Sequence, residues 1–482
     1  MRILFSLRIL GLLLMIFSST MIFPMLISLS ENDHTAFTFL NALALTFSSG
    51  LLLWLASSGS KQELRIRDGF LITSLFWCVL GCFGSLPFYL SDSLDLTLIE
   101  SIFESISGLT TTGATVITGL DELPKSILFY RQFLQWLGGI GIIVVAVAIL
   151  PMLGIGGMQL YKAETPGPSK DSKIAPRITE TAKALFIVYL SLTVACALAY
   201  FLAGMTWFDA ICHSFSTVAI GGFSTHDASM GFFNSHAILL IASIFMCISA
   251  INFGIHFIAW RRGSFQPYKV DSETRFFFAV LTLCVFITVG YLIFTATFSA
   301  NESLIVGAFH AISIATTTGY ATTSFSSWPG FLPTMLLLFS FMGGCVGSTG
   351  GGMKAMRIML ILKQGIREMK QLLHPHAVIP LKIGKRRVEA AIISAVWSFF
   401  AVYTFAFVAI MLCLMGAGLD FITAFSSVTA AMNNLGPGLG DVSSNYKSVG
   451  GIAQGLLCFA MLLGRLEVFT LLVIFTPMFW RN

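Results

Sequence analysis

The sequence predicts an all-α integral membrane protein, with two N-terminal helices followed by four pseudo-symmetric helix–pore loop–helix repeats around one central pore. Three observations predict it. Of 482 residues, 56% are hydrophobic and only 11% charged, far more apolar surface than one soluble core can bury. The apolar residues gather into runs at 3–29, 37–56, 70–90, 127–150, 184–201, 236–260, 276–298, 331–341, 390–415 and 452–479, most of which reach the roughly 20 residues a membrane helix needs. Between those runs a short glycine-bearing segment recurs: Thr110-Thr111-Thr112-Gly113-Ala114, Ala219-Ile220-Gly221-Gly222-Phe223, Thr316-Thr317-Thr318-Gly319-Tyr320 and Asn433-Asn434-Leu435-Gly436-Pro437.

The first two runs precede the first glycine segment and form an extension over residues 1–60. Its start, Met1-Arg2-Ile3-Leu4, leads into a long apolar stretch with no Ala-x-Ala cleavage site, which reads as a retained span rather than a cleaved signal peptide. One order of elements then repeats: outward span, short amphiphilic helix, glycine segment, inward span. The repeats fall at 61–175, 176–268, 269–385 and 386–482. In the first, the stretch 94–109 is too short and polar to cross. Its Ile99, Ile102, Phe103 and Ile106 nonetheless lie at helical spacing, as in a re-entrant half helix. Its counterparts are 207–218, 304–315 and 419–432.

Charge fixes the orientation. Basic residues cluster at Lys61, Arg65 and Arg67; at Lys162, Lys170, Lys173, Arg177 and Lys183; at Arg261, Arg262, Lys269 and Arg275; and along 354–387. The connections holding the glycine segments instead carry Asp92, Asp95, Glu100, Glu104, Asp121, Glu122, Asp209, Asp227, Glu302, Asp420 and Asp441, against Lys125, Arg131 and Lys447. The positive-inside rule places the basic clusters and both termini in the cytoplasm and brings the glycine segments in from outside.

Non-helical backbone at membrane depth survives only where it packs in protein or lines water. Four such loops therefore converge on an aqueous axis, with the negative C-terminal ends of the half helices aimed at it, which favours a cation. Glycine lets successive carbonyls face inward through conformations that a Cβ disfavours, and carbonyl rings can replace an ion's hydration shell. The competing reading makes Gly113, Gly222, Gly319 and Gly436 plain helix C-caps. Four copies at matching places favour the pore.

On these four motifs the chain resembles, from about residue 10 to its C-terminus, the TrkH-type potassium uptake proteins of the Trk/Ktr/HKT superfamily. The resemblance implies K+ as the transported ion and no bound cofactor. Its contacts would be the carbonyls of Thr111, Thr112 and Gly113; Ile220, Gly221 and Gly222; Thr317, Thr318 and Gly319; and Asn434, Leu435 and Gly436. The second loop offers two glycines, and choosing Gly222 over Gly221 as the filter position rests on the Phe223 that follows. In family members with Ser at the first filter glycine sodium permeation is expected, so Gly113 points to potassium. The resemblance also implies a homodimer in a bacterial cytoplasmic (inner) membrane, working with a cytosolic RCK-type nucleotide-binding regulatory subunit.

The run Gly343-Gly344-Cys345-Val346-Gly347-Ser348-Thr349-Gly350-Gly351-Gly352 breaks the inner span of the third repeat, since each glycine costs a helix about 1 kcal/mol. It is no phosphate loop, because Met353 stands where G-x-x-x-x-G-K-[ST] needs Lys. Close helix packing through small residues is the plainer alternative; in the family this loop acts as a gate. Arg465 and Glu467 are charges within the last run, and an unpaired Arg at that depth costs at least about 3 kcal/mol. Arg465 must therefore meet backbone carbonyls or the water axis, and the resemblance puts it beneath the filter as a fixed charge beside the gate. Two residues apart on a helix, Arg465 and Glu467 point in different directions, so Glu467 is expected to pair with a neighbouring helix.

His213, His226, His236, His256 and His310 are scattered along the chain without metal-ligand spacing, and no Ser-His-Asp order sits in a plausible pocket. No enzymatic function and no nucleic-acid partner is expected. The basic, helical linker 354–387 suits either attraction to the bilayer surface or docking of the regulator. Two other function classes stay open: a secondary transporter coupling K+ to H+ or Na+, and a membrane scaffold without transport.

Overall fold

The computed structural model describes residues 3–57, 66–144, 178–384 and 386–480. Arg2, Lys61, Arg65, Lys162, Lys170, Lys173, Arg177, Lys385 and Arg481, the boundaries drawn at 60/61 and 175/176, and the inner end of the 127–150 run lie outside the described residues. Among the described residues, seven helices are long and apolar enough to cross a membrane, or eight if one bent pair counts as a single span.

Helices Ile3–Thr20, Ile22–Glu31 and Ala36–Ala56 form the leading extension. The recurring order then follows. Repeat one has Ile66–Gly84, the short Leu98–Leu109 and Lys125–Val144; repeat two has Ile178–Leu202, the short Trp207–Ala219, and His236–Ser249 with Phe253–Arg262. Repeat three has Ser272–Phe294, the short Ala300–Ala315, Leu332–Ser340 and Ala355–Leu373; repeat four has Ala390–Gly416, the short Phe421–Met432 and Gly450–Arg465. Phe286, Phe294 and Ile452 stand exposed on long helices, the apolar exterior a lipid-facing chain requires.

Each short helix opens on a side-chain cap. Thr97 accepts from the Glu100 N–H, Thr206 from Asp209, Ser299 from Glu302, and Asp420 from Ile422 and Thr423. Such caps are worth about 0.5–2 kcal/mol each. They set the starts of the first and third short helices at Leu98 and Ala300 rather than at the expected 94 and 304.

Three spans are broken, two of them expected to be continuous and one, in repeat three, expected to break. The 236–260 run bends by 95° between Ser249 and Phe253, because Ala250 O accepts from Cys345 N (2.8 Å) and Phe253 N donates to Gly347 O (3.0 Å). The backbone of the glycine-rich loop thus replaces helix bonds there. In repeat three, Leu332–Ser340 gives way to non-helical chain until Ala355, as the glycines foretell. The last run stops at Arg465, where Glu467 and Val468 both take φ +56°. The basic linker also departs from expectation: beyond Leu373 it holds a two-residue antiparallel pair, Lys382–Ile383 with Arg386–Arg387.

Candidate functional site

The four glycine segments share one backbone form. Thr111, Ile220, Thr317 and Asn434 adopt φ of +54°, +55°, +68° and +53°, and Gly113, Gly222, Gly319 and Gly436, two residues on, adopt +79°, +76°, +85° and +95°. Between them, the N–H of Thr112, Gly221, Thr318 and Leu435 reaches back to Ser107, Ser216, Ser313 and Ala430 at 2.8–2.9 Å. This bond closes each short helix with a Schellman-type turn. The left-handed cap is filled by the non-glycine residue, so the reading of these glycines as plain C-caps fails. The matching bonds also align Gly222, not Gly221, with the other three.

The segments meet. A Cβ on Gly113 would overlap the Gly221 carbonyl oxygen, one on Gly222 that of Thr318, one on Gly319 that of Leu435, and one on Gly436 that of Thr112. Each glycine thus faces the carbonyl preceding the next repeat's glycine, and the series closes into a ring of four. All the Thr residues at 110–112 and 316–318 are buried; four of their hydroxyls pair within a loop, the Thr317 hydroxyl accepts from Gly351 N, and Thr111 Oγ1 has no hydrogen-bond partner. Thr110 Oγ1 lies 2.7 Å from Thr112 Oγ1 and Thr316 Oγ1 2.8 Å from Thr318 Oγ1, while Thr110 and Thr316 also donate to Ile106 O and Ile312 O. Two of the twelve expected carbonyls already hold a donor: Gly221 O accepts from Gln135 Nε2 (2.6 Å) and Gly436 O from the Tyr446 hydroxyl (2.7 Å).

Behind the ring, each short helix staples the chain that leaves it. Glu104 accepts from Val116 N (3.0 Å) and Thr115 Oγ1. His213 Nε2 lies 2.9 Å from Ser224 Oγ, His310 Nε2 3.1 Å from Thr323 O, and Ser426 Oγ accepts from Leu439 N at 2.9 Å. Glu104, His213 and His310 each stand nine residues before the loop glycine, a recurrence that would have found them in the sequence. Glu104 is therefore not a mouth carboxylate. It is fully buried and ion-paired to Arg131 at 2.8 Å, and Arg131 donates to Ser224 O (3.0 Å) with its guanidinium over the Phe223 ring. That pair ties the first loop to the second.

At the outer surface, His226 pairs with Asp121 of repeat one, its Nε2 lies 3.5 Å from Asp209 of repeat two, and its ring stacks on Phe232. His213 lies beside it, with ring centroids 6.5 Å apart, so two histidines expected to be scattered stand together. Burial opposes charge on His226, but the Asp209 and Asp121 carboxylates outweigh it and hold its pKa above the usual imidazole value. Burial likewise opposes charge on Asp209, yet hydrogen bonds from His226, Thr206 and Thr225 hold its carboxyl well below the ordinary range.

Beneath the ring lies the glycine-rich loop. Gly343, Gly344 and Gly347 pack against its own return and against Ala250 and Asn252; Gly351 N donates to Thr317 Oγ1 (2.8 Å) and Gly352 N to Asn433 O (3.0 Å). Thr349 Oγ1 donates to Val218 O at 2.9 Å, Lys354 Nζ to Gly350 O, and Ser348 is fully buried. The loop thus touches segments three and four and the end of the second short helix. Arg465 locks it, donating to Thr349 O (3.0 Å) and to Gly138 O of repeat one (3.1 Å), which gives its charge the carbonyl partners its depth demands. Glu467 pairs with Arg357 at 2.5 Å. One buried acid is not evident from the sequence: Glu273 accepts from Val346 N (2.8 Å), inside the loop, and from Met356 N (3.1 Å), in the first turn of the helix that follows it.

A model of the TrkH family, described as cation transport protein, matches residues 35–482. The chain is 56% identical over 476 residues to the Trk system potassium uptake protein TrkH of Halomonas elongata, covering 99% of each chain. It is 53% identical over 481 residues to the protein of the same name from Vibrio parahaemolyticus, covering 98% of this chain and 99% of that one. The crystal structure of the potassium transporter TrkH from Vibrio parahaemolyticus superposes with a TM-score of 0.92 at 50% identity, covering 100% of both chains. The chain belongs to the TrkH family of cation transport proteins, and is a multi-pass membrane transport protein and not an enzyme.

Proposed function

We propose that this chain carries potassium inward across a bacterial cytoplasmic membrane, through a filter built of the carbonyls at 111–113, 220–222, 317–319 and 434–436. One observation carries the reading: four loops of the same backbone form close into a ring, each glycine facing the next loop's carbonyl. Five of the six Thr hydroxyls hold hydrogen-bond partners, and the contacts between loops run through carbonyl oxygens, the groups that can replace a cation's hydration shell. Potassium is the cargo of the named relatives, and Gly113 keeps the first loop free of a side chain. The glycine-rich loop, residues 343–352, blocks the path below the ring, with Arg465 as its bolt. Opening it lets the membrane potential drive K+ inward at about 2.3 kcal/mol per charge per 100 mV. The protein works as a homodimer with both termini cytoplasmic, under a cytosolic RCK-type nucleotide-binding subunit.

The experiment is 86Rb+ or K+ flux into vesicles holding the purified protein, with and without an imposed potential. Potential-driven uptake that prefers K+ to Na+ is the expected result, and no flux above empty vesicles, with or without the regulatory subunit, returns the chain to a scaffold. A second reading, coupled symport, is favoured by Glu273, a buried carboxyl bonded to the gate loop and to the helix that follows it. Varying the proton gradient at a fixed potassium gradient and clamped potential separates the two: a channel's K+ flux does not follow it.

A further inference from the structure

We infer that a groove on the cytoplasmic side, between helix Ala355–Leu373, the chain at 379–381 and 387–389 and the first turn of Ala390–Gly416, binds the anionic headgroup of an inner-leaflet phospholipid. The inference does not rest on the transport reading. Helix Ala355–Leu373 buries Met356, Met359 and Leu360 in a cluster with Ile393 and Val396. It also carries a second apolar row, Leu362, Ile366, Met369 and Leu373 at 4-3-4 spacing, which lies exposed. Leu372 and Leu373, at its end, are 81% and 78% exposed. Lys363, Arg367 and Lys370 interleave with that row. An apolar stripe bordered by basic residues is the pattern of a helix lying at a membrane surface.

The groove encloses ≈ 410 Å³, with Pro380, Leu381, Val388 and Ile393 along it and Arg367 and Arg387 beside them. Arg387 is exposed. Arg367 meets Glu368 at 3.3 Å through one terminal nitrogen, while its buried Nε has no hydrogen-bond partner. Two guanidinium groups suit a phosphodiester, which they can hold through paired N–H bonds. Glu389 also lines the groove; Glu368, outside the lining, occupies one terminal nitrogen of Arg367, so the lining itself holds two arginines and one carboxylate. Free phosphate would leave the apolar wall unused, whereas a phospholipid sets its glycerol and first methylenes there. Ala390, in the same wall, begins a 27-residue apolar helix, so the groove opens at the bilayer's edge, where lipid is the resident ligand.

The test uses the full-length protein in nanodiscs of phosphatidylcholine doped with phosphatidylglycerol, with retained lipid counted by native mass spectrometry. The expected result is a several-fold preference for phosphatidylglycerol, reduced to parity in the Arg367→Gln/Arg387→Gln variant and lowered in the Arg387→Gln variant, whose exposed site does not threaten folding. Equal retention by wild type and both variants overturns the proposal. Full displacement by equimolar inorganic phosphate also overturns it, since the site would then take the free ion. A Leu372→Asp/Leu373→Asp variant supplies the last arm: if it splits a dimer yet keeps its phosphatidylglycerol, the apolar row is an interface between copies, and the membrane placement fails.

Discussion

Thr111, Ile220 and Thr317 are β-branched residues held at positive φ, a conformation that costs on the order of 1–3 kcal/mol each and persists only where surroundings impose it. The glycines two residues on escape that cost but meet a steric one, because the missing Cβ is the space the neighbouring loop's carbonyl occupies. Gly113→Ser would therefore push against Gly221 O and widen or tilt one quadrant of the ring. The expected outcome is a lower K+ over Na+ permeability ratio with flux retained, read from reversal potentials in reconstituted bilayers; an unchanged ratio counts against the filter assignment. The Glu104–Arg131 pair gives a stability prediction of its own. Glu104→Gln strands a buried guanidinium, a loss of about 3–5 kcal/mol. Glu104→Leu with Arg131→Met should lose clearly less, and thermal unfolding of wild type and the two variants in detergent measures the difference.

At the scale of elements, the glycine-rich loop is held by few groups, and each can be removed. Arg465→Ala deletes the ties to Thr349 O and Gly138 O, and deletion of 347–351 removes the stretch that meets Thr317. Both should raise potassium flux in vesicles while selectivity stays; a loss of flux in either would defeat the gate. The loop's existence was legible because six glycines in one short run cannot stay helical. The short helices were legible from apolar spacing, and their true starts from the Ser/Thr-x-x-Glu pattern at 97–100 and 299–302. The turn at Leu466–Val468, closed locally by Val468 N on Leu463 O, leaves no mark in hydropathy, and the break at Ala250–Asn252 is hidden because the groups that replace its lost helix bonds come from distant sequence. Glu104 was misplaced for the same reason: among acidic loop residues its partner Arg131 is invisible until the first short helix packs on Lys125–Val144. Gln135 and Tyr446, which occupy two ring carbonyls, carry no local signal at all.

Over the whole molecule the outer face is held across repeats by one titratable latch. Asp121 comes from repeat one, His226 and Asp209 from repeat two, and the charged or titratable groups around the imidazole are Asp121, Asp209, Asp227 and His213. Asp227 also accepts from Leu120 N at 2.9 Å, so the same contact fixes the chain leaving the first loop. The His226 pKa is raised on folding, the Asp209 and Asp121 carboxylates overcoming the opposing burial. The stabilisation from its charge is thus complete below the unfolded value of about 6.5, and is lost as pH rises through the higher folded value. Asp209, held low, contributes above the ordinary carboxylate value and weakens only on strong acidification. Wild-type protein should therefore lose thermal stability on the alkaline side of about pH 6.5, and His226→Gln should flatten that decline while starting lower at mildly acid pH. Unfolding temperatures of the two proteins across that range provide the check. Parallel curves would show that the charge on His226 does not join the repeats, and that the ring is held by the contacts behind it, the Glu104–Arg131 pair among them.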